Sequence, residues 1–196
     1  MYLRCDADHR YWLGSPDGRE RQVPGVTEVL KPYSAFATMD PRALDPYAAR
    51  GTAVHRLCEL HDTAMLQASQ LDDLGRAYIA QWQRFLADSR FEAALIEYQA
   101  YSRTYDFAGR LDRYGKRPGK RGAILHAVVD IKTGVPDRTA GPQSSAYAQL
   151  VRENLSEPVD ERFCVYLTSD NYKIVPLDDM FDFKRFCAAL TIHNWS

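Results

Sequence analysis

Asp130 and Lys132 stand two apart in "VVDIKTG", Val128 to Gly134, at the end of an apolar run that includes Ile124, Leu125, Val128 and Val129. Residues two apart on a strand share a face, so this pair projects together while Ile131 points into the core on the other side. Earlier in the chain "GRLD" carries Asp112, and a meander turning through "GKRPGKRG" brings Asp112 and Asp130 to one end of adjacent strands. Two carboxylates held that close repel unless a divalent cation lies between them, and oxygen ligands with room for water suit Mg²⁺ or Mn²⁺. A lysine beside such a site can hold an attacking water or offset charge on a pentacovalent phosphorus centre. The competing account is a strand-edge ion pair between Asp130 and Lys132 with Asp112 solvated. For these residues taken pairwise, it is the simpler account.

Further residues fall into line with the first reading. "RGTAVHRLCEL" spaces Gly51, His55 and Glu59 by four, which places them on one helix face and leaves Ala53, Val54, Leu57 and Cys58 for burial. A glycine one turn before the histidine lets the helix approach another backbone closely, and an imidazole can complete an oxygen-rich metal site. "PQSSAYAQL" sets Gln143 and Tyr147 four apart on the helix after the charged strand; alone they would be an ordinary amphipathic face.

The elements that must position these residues are legible in outline. The first thirty residues predict a β-hairpin: "YLRCDADHRYWL" alternates, "GSPDG" is turn chemistry, and "RQVPGVTEVL" resumes the chain. Residues 40–90 repeat apolar positions at three and four and predict two or three helices, with Pro41 and Pro46 in first helical turns. Residues 91–196 form the sheet and its flanking helices. "EAALIEYQAYS", "YDFAGRLDRYG" and "GAILHAVVDIKTG" form an antiparallel meander, and a helix follows. Two short strands, "RFCVYLTS" and "YKIVPL", and a closing helix from about Asp178 complete the chain. The expected fold is α/β, a single domain over 1–196 with a central mixed sheet flanked by helices.

His55 in GxxxH, Asp112 in "GRLD", Asp130 and Lys132 in "DIKTG", and Gln143 with Tyr147 as QxxxY occur in that order. Together they resemble the RecB-like branch of the PD-(D/E)XK nuclease superfamily over about residues 20 to 150. The opening "HRYWL…VPGVTEVL" is also similar to the start of phage-type exonucleases of that branch. A lone DxK is weak evidence, whereas five ordered elements on the right kinds of structure are strong. The resemblance implies a restriction-endonuclease-like core in which His55, Asp112 and Asp130 bind metal, with the backbone carbonyl of Ile131 as a further ligand. It implies that Lys132 positions the attacking water and that Gln143 and Tyr147 orient the lysine or the DNA. Glu97 matches an acidic position that in some members touches a second metal; a glutamate solvated at a strand end is the alternative. Two departures stand out. Ile131 replaces an aromatic, and there is no cysteine cluster of the kind that holds an iron–sulfur centre in some members.

Composition bounds the partners. The chain has 196 residues, 45% of them hydrophobic and 26% charged, with a net charge of −1, so a polyanion must be met by local cations or bound metal. Arg113 and the basic turn of Lys116, Arg117, Lys120 and Arg121 are candidates to track a DNA backbone, or else form a solvated hairpin tip. Cys5, Cys58, Cys164 and Cys187 show no CxxC pairing and read as reduced core thiols. No apolar run is long enough for a membrane span and the first residues lack a signal core, so a cytoplasmic protein is expected. The expectation is a Mg²⁺-dependent DNA nuclease, with Mn²⁺ able to substitute. An exonuclease of the phage recombination or repair type comes first, with a single-strand annealing protein or other recombination factor as implied partner. An endonuclease on the same fold, or a relative that binds DNA or a partner protein without cutting, are the alternatives; intact Asp112, Asp130 and Lys132 weigh against the last.

Overall fold

Strand β6 (Ile124–Lys132) shows how the molecule is layered: Val128 packs against one core, while Ala127, Val129 and Ile131 pack against another. A strand buried on both faces needs helices on both sides of its sheet. The computed structural model describes residues 1–195, Pro41 for its backbone only, and shows that arrangement. Five strands run in the order β4 (Glu92–Ser102), β5 (Phe107–Pro118), β6, β7 (Glu161–Leu167) and β8 (Tyr172–Pro176). The first three form the antiparallel meander; β7 joins β6 in parallel and β8 returns antiparallel, so the sheet is mixed.

Helices α2 (Pro41–Asp62) and α3 (Asp73–Ser89) cover one face, burying Val54, Cys58, Trp82 and Phe85 against Val129, Ile131 and Val165. Both start on aspartates: Asp40 accepts the Arg42 N–H at 2.9 Å, and Asp72 accepts that of Gly75 at 2.7 Å. The other face holds α1 (Val26–Leu30), α4 (Ala140–Leu155) and α5 (Asp182–Trp195). There Val29, Leu150, Phe186 and Leu190 close over Leu111 and Val128. Helix α4 is the crossover that the parallel β6–β7 pair requires. It runs past the end of β6, which is why its residues can face Lys132.

The N-terminal segment departs from a simple hairpin. The alternating run breaks at a turn over Asp6–Arg10, giving three antiparallel strands, β1 (Tyr2–Cys5), β2 (Tyr11–Gly14) and β3 (Glu20–Val23). After β3 the chain does not continue extended. Val26, Val29 and Leu30 recur at helical spacing and bury together as α1, whose Glu28 carboxylate accepts the Gly25 N–H at 3.2 Å. Tyr11, Leu13 and Val23 of the small sheet pack on Ala108 of β5, and Arg21 pairs with Asp106. Pro46 lies inside α2 rather than at a helix start, and the closing helix begins at Asp182. Among the described residues no helix is long and apolar enough to cross a membrane. Cys58 and Cys164 are buried; Cys5 and Cys187 are half-buried, so only two of the four thiols sit in the core.

Candidate functional site

The pairing registers put three carboxylates in one row. Ile96 and Tyr98 pair with Arg113 and Leu111, which sets Glu97 opposite Asp112, and Arg113 pairs with Val129, which sets Asp112 beside Asp130. Like charges directly opposite one another destabilise a sheet. The backbone is distorted where they meet: Glu97 has a left-handed φ of 49°. Leu95 and Tyr98, three apart, face the same core, as do Leu111 and Tyr114. The period-2 alternation of both strands therefore slips by one at the Glu97–Asp112 rung. That slip leaves Asp112 and Arg113 on the same face, Asp112 towards His55 of α2 and Arg113 towards Asp62 of α2 and Trp82 of α3.

His55 reaches the row from α2. Its Nε2 lies 2.7 Å from the Ile131 carbonyl oxygen, so that nitrogen carries the proton and donates. In the neutral imidazole the lone pair on Nδ1 then faces Asp112 Oδ1 at 3.5 Å, two electron-rich atoms turned towards each other. Asp112 Oδ2 accepts the Ile131 N–H at 2.7 Å, and Asp112 has no arginine or lysine ion-pair partner among the described residues. Ligand atoms of His55, Glu97 and Asp112 all lie within 4.8 Å of one another. With the Ile131 carbonyl alongside, the donors are an imidazole, two carboxylates and a peptide oxygen. This is a set that fits a hard divalent cation such as Mg²⁺ or Mn²⁺.

Asp130 lies in the same cavity but turns away from that cluster. Its Oδ2 pairs with Lys132 Nζ at 2.7 Å and accepts a weak Cys164 Sγ–H bond at 3.6 Å. Burial holds the Asp130 carboxyl above the usual range, against the pull of Lys132. Burial by itself would lower the Lys132 ammonium, but Asp130 and Asp112 outweigh it and push it up, so the lysine stays charged. Lys132 Nζ also donates to Gln143 Oε1 at 3.3 Å, and Gln143 Nε2 donates to the Tyr147 hydroxyl at 3.1 Å. Gln143 and Tyr147 thus form a relay from α4 onto the lysine. Tyr147 is pushed up by burial and by Asp130, and is a neutral hydroxyl.

Glu97 is braced from behind. Its Oε1 accepts from Arg113 Nη1 at 3.2 Å, and its Oε2 meets Arg110 Nε at 3.2 Å. Burial raises the Glu97 carboxyl, as does Asp112, while Arg113 and Arg110 oppose them. Arg113 itself is 0% exposed. Its Nε donates to Asp62 at 2.7 Å, its Nη1 to its neighbour's carbonyl at 2.6 Å, and its guanidinium stacks over Trp82 at 5.7 Å. A side chain so enclosed cannot touch DNA, which corrects its placement among the backbone-tracking cations. Arg117 is likewise tied up, paired with Glu161 and lying over Phe163. Lys116, Lys120 and Arg121 are exposed, but β5 advances about 20 Å from Asp112 to Pro118, at about 3.3 Å per residue, so this tip is remote from the carboxylates.

The cavity over the row has a volume of about 480 Å³. His55, Glu97, Asp112, Asp130, Lys132, Gln143 and Tyr147 all line it, and so do Gly51 and Glu59, the latter paired with Arg56 at 2.7 Å. A Cβ on Gly51 would meet only the Thr133 hydroxyl, at 3.6 Å, so close packing does not require that glycine. Sequence reasoning missed Arg110, the Asp62–Arg113 pair, and His9 and Tyr11, which the N-terminal sheet hangs over the same cavity. "HRYWL" was the available signal for the last two, but no chemistry could be attached to it. No protein-family model matches the chain, and no curated protein matches it.

Proposed function

We propose that the chain is a metal-dependent nuclease that hydrolyses DNA phosphodiesters, acting as an exonuclease of the RecB-like PD-(D/E)XK type. The observation that carries this reading is the facing of His55 Nδ1 and Asp112 Oδ1, with Glu97 beside them and a charged lysine in the same cavity. Two electron-rich ligands opposed in a half-buried site call for a cation, and a neighbouring ammonium suits an anionic substrate. His55, Asp112, Glu97 and the Ile131 carbonyl would hold Mg²⁺ or Mn²⁺. When bound, such an ion acidifies water and stabilises the oxygens of the reacting phosphate.

The chain's own groups supply the rest. Lys132 enters as an ammonium, because Asp130 and Asp112 keep it protonated; it is a hydrogen-bond donor and not a general base. Asp130 Oδ2 and Gln143 Oε1 fix its Nζ from two sides, so the remaining N–H is directed by geometry towards an attacking water or a phosphate oxygen. Tyr147 holds Gln143 in turn. The test uses end-labelled linear and closed circular DNA with Mg²⁺, with and without EDTA. An exonuclease degrades only the linear form and stops in EDTA. Nicking of the circle would make the protein an endonuclease on this fold, and an intact but retarded substrate would make it a binding protein.

A further inference from the structure

His9 closes the turn between β1 and β2 with φ +60°, a left-handed conformation in which glycine, and after it asparagine, is the usual occupant. The turn itself is firmly built. The Asp6 carboxylate accepts the N–H groups of Asp8 at 3.0 Å and Arg10 at 2.9 Å, and the Trp12 indole N–H at 2.9 Å. The His9 N–H donates to the Asp6 carbonyl at 3.1 Å. All of these bonds hold backbone or neighbours, and none uses the imidazole, which has no hydrogen-bond or ion-pair partner among the described residues. Glycine would serve this turn better. Histidine does visit this region, and the ring is exposed, so the fold leaves it free to meet a ligand.

The ring's position says what that work is. His9 lines the carboxylate cavity and also a neighbouring cavity of about 520 Å³; Thr27 and Gln143 are the other residues common to both. It therefore stands at the junction of the two spaces, facing the glutamine that holds Lys132. Arg56 and Arg110 of the first cavity and Arg10 of the second are paired with Glu59, Glu97 and Asp8, whereas Lys31, beside Glu28 and Asp137 in the second, has no ion-pair partner among the described residues. Lys132 in the first cavity and Lys31 in the second thus flank the junction, one ammonium on each side for a strand's phosphates.

We propose that His9 is a substrate-binding residue whose imidazole donates an N–H to a phosphate of the nucleic-acid strand where that strand passes from the catalytic cavity into its neighbour. The assignment rests on the nuclease reading of the first cavity. It places the strand between the N-terminal sheet on one side and α1 and α4 on the other. The small sheet is then one wall of the substrate path.

His9→Gly is the decisive variant, because glycine relaxes the backbone while removing the ring. Its melting temperature should equal or exceed that of the wild type, and a calorimetric Mn²⁺ titration should be unchanged. Affinity for a fluorescein-labelled single-stranded oligonucleotide, read by anisotropy in Ca²⁺, should fall about tenfold, as expected for losing a hydrogen bond to a charged group. KM in Mg²⁺ should rise in step, with kcat changed less. His9→Asn, which also tolerates the left-handed backbone but carries a shorter donor, should fall between. If the wild type cleaves and His9→Gly binds and cleaves as well as it does, His9 is a turn residue only. A lowered melting temperature for His9→Gly would overturn the proposal too, since the ring would then serve the fold. A wild type that neither binds nor cuts DNA instead removes the nuclease reading on which the proposal stands.

Discussion

Two charge clusters sit side by side under helix α2, on adjacent residues of β5 and sharing Glu97 of β4, and they are built on opposite terms. The rear one is closed over by α2 and α3: Arg113 is buried with carboxylates from Asp62 and Glu97, and Trp82 both stacks on it and donates to Asp62 at 2.8 Å. In front, Asp112 has only a histidine and a peptide N–H, and Asp130 is offset by Lys132 alone. The rear cluster neutralises its charges with a fixed side chain; in the front one, on the proposed reading, a bound cation does so. Burial makes both costly without a counter-charge, so the difference lies in what supplies it. Glu97 belongs to both clusters and transmits the rigidity of the rear one to the ligands of the front.

The sharpest way to break this contrast is to remove the rear cation. Arg113→Ala removes the arginine from Asp62, leaves Glu97 with Arg110 alone and should cost about 3–5 kcal/mol of stability, read from a denaturant titration. A loss below about 1 kcal/mol would mean that the rear cluster is not structural. Removing the front cation should do the reverse. Lys132→Ala should slow DNA cleavage by about 10² to 10³-fold, as for other single donors to a developing charge, and should lower the melting temperature less than Arg113→Ala, because burial already raises the Asp130 carboxyl and lets it take up a proton. Near-wild-type cleavage by a folded Lys132→Ala protein would make Lys132 merely the ion-pair partner of Asp130.

Glu97, shared between the clusters, gives a pH signature. Burial holds its folded carboxyl above the unfolded value, so its contribution to stability is fully present at low pH and is lost as pH rises through the folded value. In metal-free buffer, Glu97→Gln should therefore gain stability relative to the wild type as pH is raised from about 5 to about 8. A difference that shrinks with pH would mean that Arg113 and Arg110 outweigh burial. The smallest effect is expected at the remote hairpin tip. Lys120→Ala with Arg121→Ala should alter cleavage less than about threefold at moderate salt, in keeping with exposed, unpaired charges far from the reaction. A larger loss would extend the DNA path along the β5–β6 hairpin.

What the sequence revealed and what it hid divides along the same line. The front cluster was legible because its residues interrupt local patterns: Asp130 and Lys132 break an apolar strand, and His55 sits at helical spacing from Gly51 and Glu59. The meander and α4 followed from period and turn chemistry. Arg113 was misjudged because strict alternation from Asp112 gives no warning that both strands slip at Glu97, a distortion fixed by tertiary packing rather than by propensity. Asp62 carries no local signal of its role, since its partner is 51 positions away. Helix α1 carried a helical pattern in Val26, Val29 and Leu30, but it is too short to stand out from the extended chain before it. The fold of the N-terminal sheet over the cavity depends on contacts with Ala108 and Tyr101 that no local pattern announces.

The central claim is that the front cluster is a cation site in which the aspartate binds and the lysine reacts. Calorimetric titration of Mn²⁺ into the wild type, Asp112→Asn and Lys132→Ala tests it most directly, with folding of each verified by its melting curve. The account predicts saturable heat for the wild type and for Lys132→Ala, and its loss for Asp112→Asn. Equal heats in the wild type and Asp112→Asn, or no saturable heat in the wild type, would contradict it.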